Sequence, residues 1–277
     1  MTADSPFDLD AHPGKGLGGH PHGVSLPSPR ATLLLVLVSL VLCVTAGTVL
    51  QLADLMMGII GTEILCIMLP LAVAVRLAGC DAGETLKLRW PGWIPVALAA
   101  VMAPAAAIVA GEIFWIQGRI IPIPAWYLDA MENLVALGRG QDLWLGVLAL
   151  SVLPAVGEES LFRGFVLSGL ERRFGRVGAL CLSGVLFGLI HVDIYRFTAV
   201  CLLGVFLGWV TLTSGSLYPA MVIHAINNAL ILISPERMER MDIQWLEGNE
   251  SAPFLWMVAA VLVLAAGVVA MRKVERR

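Results

Sequence analysis

Charge is what this sequence has least of. Only 14% of its 277 residues are Asp, Glu, Lys or Arg, where a soluble domain carries about 25%. The formal net charge is -3, so no basic face is available to meet phosphates and a nucleic-acid partner is excluded. Cysteine is sparse and scattered: Cys43, Cys66, Cys80, Cys181 and Cys201 form no C-x-x-C, which removes both a disulfide scaffold and a zinc ribbon. Most of them sit in apolar runs and read as small buried hydrophobes. No strand-forming alternation and no internal repeat is visible. What the chain does have is apolar surface: 58% of its residues are hydrophobic and its mean hydropathy is +0.84. A single core of this length cannot hide that much, so lipid must be part of the solvent.

Residues 1–29 are rich in Pro, Gly and His and read as a disordered cytosolic tail. His12, His20 and His22 lie there, and a solvated tail is a better reading than a weak metal site. Residues 30–277 form the transmembrane domain. Apolar runs occur at 31–52, 56–78, 93–116, 143–170, 178–195, 197–213, 216–233 and 252–271, each near the ~20 residues that span hydrocarbon. The first run is too long for a signal-peptide core and is followed by more spans, so it reads as an anchor. The expected fold is therefore an all-α polytopic membrane protein of about eight helices.

Positive charge gives the orientation. With the N-terminus inside, Lys15, Arg30, Arg76, Lys87, Arg89, Arg172, Arg173, Arg176, Arg272, Lys273, Arg276 and Arg277 all face the cytosol, 12 of the 18 basic residues. Both termini are then cytosolic. Two outer loops have some length: 117–142, with a short amphipathic stretch, and 234–251, which is acidic. Both read as solvated loops.

An ionisable residue inside a span costs roughly 2.5–3.5 kcal/mol on insertion scales, so its position is informative. The fourth run carries Glu158, Glu159 and Arg163, the fifth His191, and the seventh His224, Asn227 and Asn228. Counted from the inner end of each run, Glu158 is 12 residues in, His191 13, Asn228 12 and His224 8. At about 1.5 Å per residue, all lie roughly 12–20 Å deep, in one layer. Glu159 and Arg163 are four apart and can pair; Glu158 is turned about 100° away. His224 and Asn228 share a face, and Phe187 can pack over His191. Gly184 with Gly188, and Gly204 with Gly208, form small faces for close helix approach. Glu63 and Glu112 are lone acids in the second and third runs and are not assigned to the site.

This set suits peptide hydrolysis. A carboxylate in a low-dielectric pocket becomes a stronger base, which fits Glu158. His191 holds the same water, while His224 and Asn228 donate to the developing oxyanion. Glu159 and Arg163 are structural support, as is Phe187. No H-E-x-x-H, no G-x-S-x-G and no Gly-x-Gly-Asp occurs. No cofactor is expected, although a zinc ion on Glu158, His191 and His224 is conceivable.

Glu158-Glu159-Ser160-Leu161-Phe162-Arg163 resembles the EExxxR motif of the CPBP family, the CAAX-protease and bacteriocin-processing (Abi) family. Phe187 to His191 is similar to its FxxxH motif, and His224 to Asn228 to its HxxxN motif. The three occur in family order across about 140–235. The resemblance implies an intramembrane glutamic endopeptidase in which Glu158 and His191 position the attacking water and His224 and Asn228 form the oxyanion hole. The implied partners are the bilayer and a membrane-protein or peptide substrate, lipidated or not; the compact loops and Ala- and Gly-rich spans point to a bacterial plasma membrane. Two other functions stay open: a non-catalytic scaffold or immunity protein using the same cavity, and a proton-coupled transporter.

Overall fold

The computed structural model describes residues 26–138, 143–230, 232–233 and 250–275. The tail before residue 26 and most of the acidic outer loop lie outside them. The described chain is helical and, among the described residues, contains no strand. The helices are α1 (Pro29–Ala53), α2 (Leu55–Leu77), α3 (Trp93–Ile120), α4 (Ala125–Gly138), α5 (Leu143–Ile190), α6 (Phe197–Ser214), α7 (Tyr218–Leu230) and α8 (Phe254–Glu275). Among the described residues, six are long and apolar enough to cross a membrane: α1, α2, α3, α5, α6 and α8. The amphipathic stretch expected in the first outer loop is α4. The seventh apolar run holds a helix of only 13 residues, α7.

The surface is what a bilayer requires. Leu52, Trp144, Phe254 and Leu255 are each more than three-quarters exposed. In water such a coat would drive aggregation; against lipid tails it is the outer face of the bundle. Aromatic clusters occupy opposite ends: Trp90 with Trp93 and Tyr218, and Trp126 with Tyr127 and Tyr195. Rings with one wet edge settle at the headgroup level.

Two bends position the site. Between α1 and α2 the chain reverses at Asp54, whose carboxylate caps the Met57 amide. Side by side, Gly58 is so close to the α1 backbone at Gln51 that a Cβ would lie 2.5 Å from it. The second bend divides α5. Gly175, at φ 67 and ψ 175, has a conformation closed to L side chains, and the helix doubles back on itself there. The fourth and fifth expected runs are therefore the two limbs of α5. Glu158 lies 17 residues before the bend and His191 16 after it, which brings them to the same height. The limbs pack through Phe162 and Phe187, whose ring centroids are 5.2 Å apart.

The glycine faces then receive α6. A Cβ on Gly184 would lie 2.8 Å from the Cys201 carbonyl oxygen, and one on Gly204 would lie 3.0 Å from Gly184 Cα. Backbone meets backbone because neither helix has a side chain there. At the other end of the bundle, Lys87 threads its ammonium into the protein to donate to Ser168 Oγ at 2.6 Å. Burial pushes that amine below its usual range.

Candidate active site

The first limb of α5 presents two adjacent carboxylates to two different surroundings. Glu159 is fully buried. Its Oε1 accepts from Arg163 Nη1 at 2.8 Å and from His224 Nδ1 at 2.7 Å. Arg163 is also fully buried, and its guanidinium lies over the Phe187 ring, 3.9 Å from the centroid. Phe187 in turn meets His191 edge-on at 4.9 Å and His224 at 6.0 Å. One ring thus fixes a cation and both imidazoles. The expected Glu159–Arg163 pair is present, and the structure adds His224 to it.

Glu158 is left with the reactive surroundings. Its Oε2 is 3.8 Å from His191 Nε2 and 3.8 Å from His224 Nε2. That is too long for a direct hydrogen bond and fits a span bridged by one water. Side-chain exposure is 14% for Glu158 and 23% for His191 but only 4% for His224, so the site opens on the His191 side.

Each imidazole is oriented through its other nitrogen. His191 Nδ1 sits 2.7 Å from the Phe187 carbonyl oxygen. A carbonyl only accepts, so Nδ1 carries hydrogen and, in the neutral ring, Nε2 turns a lone pair toward Glu158. His224 Nδ1 faces a carboxylate that already accepts from Arg163, so it too donates. His224 Nε2 therefore carries hydrogen only when the ring is an imidazolium.

Asn228 is half-buried on α7, one turn beyond His224. Its side-chain oxygen accepts from Asn227 Nδ2 at 3.4 Å. The structure shows no direct bond from it to Glu158 or to either histidine among the described residues. Nor do any three His, Cys, Asp or Glu side chains among the described residues group tightly enough to hold a metal ion.

The turn after His191 is tightly held. Val192 has φ 49, a left-handed conformation that costs a β-branched residue energy. Asp193 accepts from the Tyr195 and Arg196 amides, from Arg196 Nε at 2.8 Å and from the Tyr127 hydroxyl at 2.6 Å. Burial alone would push the Asp193 carboxyl up; Arg196 and these hydrogen bonds outweigh it and hold the group below its usual range. Gln117 of α3 clamps the same turn through the Ile194 carbonyl and the Thr198 amide. This lock was not among the features expected from the sequence. A signal did exist in Asp193 and Arg196, three apart just beyond a span.

Both unassigned acids find places. Glu112 accepts from Ser251 Oγ and the Ala252 amide and ties the start of α8 to α3. Glu63 is buried against α5 beside Gly157.

The fold is that of a polytopic helical membrane protein, and it brings an acid and two imidazoles to one buried point. Residues 140–230 match the family model described as type II CAAX prenyl endopeptidase, Rce1-like. That is a domain of the CPBP family, and it contains all four candidate catalytic residues. At a coarse level the match supports a membrane protease. No curated protein and no solved structure matches the chain.

Proposed function

We propose that the protein is an intramembrane glutamic endopeptidase, with Glu158, His191, His224 and Asn228 as its catalytic residues. The observation that carries this is the Glu158 carboxylate oxygen lying 3.8 Å from both imidazole Nε2 atoms. Water held there donates one hydrogen to Glu158 Oε2 and the other to the His191 Nε2 lone pair. Glu158 takes a proton as the water oxygen bonds to the peptide carbonyl carbon. The His224 imidazolium and the Asn228 amide donate to the oxyanion that forms. The C–N bond then breaks, and the proton on Glu158 passes to the departing amine.

With His224 as an imidazolium, as the scheme requires, Arg163 and His224 match the carboxylates Glu158 and Glu159. Glu159 holds His224 Nδ1, just as a buried carboxylate orients the histidine of a hydrolytic triad. The scheme uses no metal; cleavage is expected to survive chelators, and loss of activity with recovery on adding zinc would replace this mechanism with a metalloprotease one.

An apolar groove of about 250 Å³ lies between α3, α5 and α7, lined by Val96, Val152, Val156, Tyr218, Met221 and Ala225 among others. Val156 is two residues from Glu158 and Ala225 one from His224. Such a groove suits a substrate that arrives from the lipid phase, either a membrane-protein segment or an apolar peptide. The chain's positive charges put both termini in the cytosol, and its compact loops and Ala- and Gly-rich spans suit a bacterial plasma membrane.

The test compares new protein termini in membranes containing wild-type protein or Glu158→Ala at matched abundance. The expected result is at least one membrane-protein terminus that disappears with Glu158→Ala. Unchanged termini with retained biological activity would favour a scaffold. Substrate-driven proton uptake that depends on Glu158 would favour a transporter.

A further inference from the structure

Among the ionisable groups that this mechanism leaves unused, Glu63 is the one the fold brings to the site. It lies on α2 at the start of a π-helical turn, Glu63–Met68, and is 7% exposed. That turn packs against the first limb of α5. Glu63 Oε2 is buried and has no hydrogen-bond partner. A Cβ built on Gly157 would lie 2.9 Å from that oxygen. The carboxyl therefore leans on bare backbone one residue before Glu158, in space that only a glycine leaves. Glu158 Oε2 is likewise buried and takes no direct hydrogen bond.

Glu63 has Glu158, the residue after Gly157, as its ionisable neighbour on α5. Its other titratable neighbours are thiols, Cys43 from α1 and Cys66 one turn along α2. Among the described residues no cation faces it. Two carboxylates in a low dielectric with no cation between them do not both stay ionised; they hold one proton between them. Glu158 faces two imidazoles that stabilise a negative charge, whereas Glu63 faces thiols and apolar groups. The proton therefore belongs on Glu63. In that state Glu63 is a donor, and a buried carboxylic acid kept neutral is a strong one.

We infer that Glu63 is a positioning residue of this site: as a neutral acid it donates toward Glu158 Oε2 and holds that carboxylate ionised and aimed at the imidazoles. This rests on the protease reading for its purpose, but not for its chemistry. Glu63 lies outside the matched residues 140–230, so α2 would contribute to a site otherwise built by α5 and α7.

Two readouts separate the two claims. The first needs no substrate. A hydrophobic carbodiimide modifies protonated carboxyls inside a bilayer, and mass spectrometry locates the adduct. With full-length protein in vesicles, Glu63 is expected to label at neutral pH. In Glu158→Gln, where the neighbouring charge is gone, the pH at which labelling is half lost moves down by about a unit or more. An unlabelled Glu63, or an unchanged midpoint, overturns the inference.

The second readout is cleavage. Glu63→Leu removes the donor: kcat falls about tenfold or more and its acid limb moves to higher pH, because the Glu158 carboxylate has lost a hydrogen bond. Glu63→Gln keeps a neutral donor, loses about threefold or less and keeps the limb in place. A merely structural Glu63 would lower activity in both variants without moving either limb, and that outcome overturns the proposal. If Glu63→Leu fails to insert, the labelling midpoint and Glu63→Gln decide. If the wild type cleaves nothing while the midpoint shifts as stated, the protease reading fails and the carboxyl pair stands.

Discussion

Glu158 and Glu159 are consecutive residues on one helix, yet they occupy opposite kinds of site. Glu159 is sealed from solvent, with Arg163 and His224 both on Oε1, Phe187 closing over both partners, and Oε2 buried without a hydrogen-bond partner. Glu158 is partly open and has two imidazoles within reach but no direct hydrogen bond. A turn of about 100° per residue produces the difference. Glu159 holds the layer together, whereas Glu158 is partly open and within reach of both Nε2 atoms, which chemistry requires. His224 touches both, through Nδ1 to Glu159 and across 3.8 Å through Nε2 to Glu158. It is the link between the structural half and the reactive half.

Exchanging the damage between the two acids breaks the comparison most sharply. Glu158→Gln, nearly isosteric, is expected to cost about 10²–10⁴ in cleavage rate while leaving thermal stability in detergent unchanged. Glu159→Ala is expected to do the reverse. It strands a buried guanidinium and costs about 3–5 kcal/mol of stability, seen as loss of inserted protein before any assay is possible. If Glu159→Ala inserted normally, or Glu158→Gln unfolded, the division of labour would be wrong.

How much of this could be read from the sequence follows from the same contrast. Ionisable groups stand out in apolar runs, so Glu158, Glu159, Arg163, His191 and His224 were legible by position, and their common depth by counting. The pairing of Arg163 with Glu159 was legible from a spacing of four. Rotation about the helix axes was not. Nothing in the spacing says that Glu159 also reaches His224, since that depends on how α7 packs against α5. Glu63 was visible as an unexplained charge, but its approach to α5 beside Glu158 depends on Gly157 having no side chain. The bend at Gly175 was expected only as a loop between spans, and the seventh run contains a helix shorter than its apolar length.

Packing supplies a smaller effect. Gly184→Val pushes side-chain carbon onto the α6 backbone at Cys201, and overpacking of this kind costs about 1–3 kcal/mol. Cleavage is expected to fall with stability, measured by thermal denaturation, because His191 and Phe187 ride on the displaced limb. A stable but inactive Gly184→Val would show that helix spacing tunes the site more finely than the account allows.

Smallest is the outer turn. Asp193 is held below the usual carboxylate range, so its contribution is complete above the unfolded value of about 3.9. That contribution disappears as pH falls through its lower folded value. Because Arg196 is partly exposed, Asp193→Asn is expected to cost less than about 1 kcal/mol at neutral pH. Faster amide exchange at Tyr195 and Arg196 is the measurement, with no change in the α5 core. Acidification is expected to have the same local effect on the wild type and none on the variant.

The central claim is that one buried point, shared by Glu158, His191 and His224, holds the attacking water and the oxyanion. Its most direct test is an electron cryo-microscopy structure of the protein in a lipid nanodisc with a peptide phosphinate, whose two oxygens mimic the tetrahedral intermediate. The account predicts one phosphinate oxygen within hydrogen-bond distance of Glu158 and His191, and the other facing His224 Nε2 and the Asn228 amide. A phosphinate bound elsewhere, or bound equally well by Glu158→Ala, would contradict it.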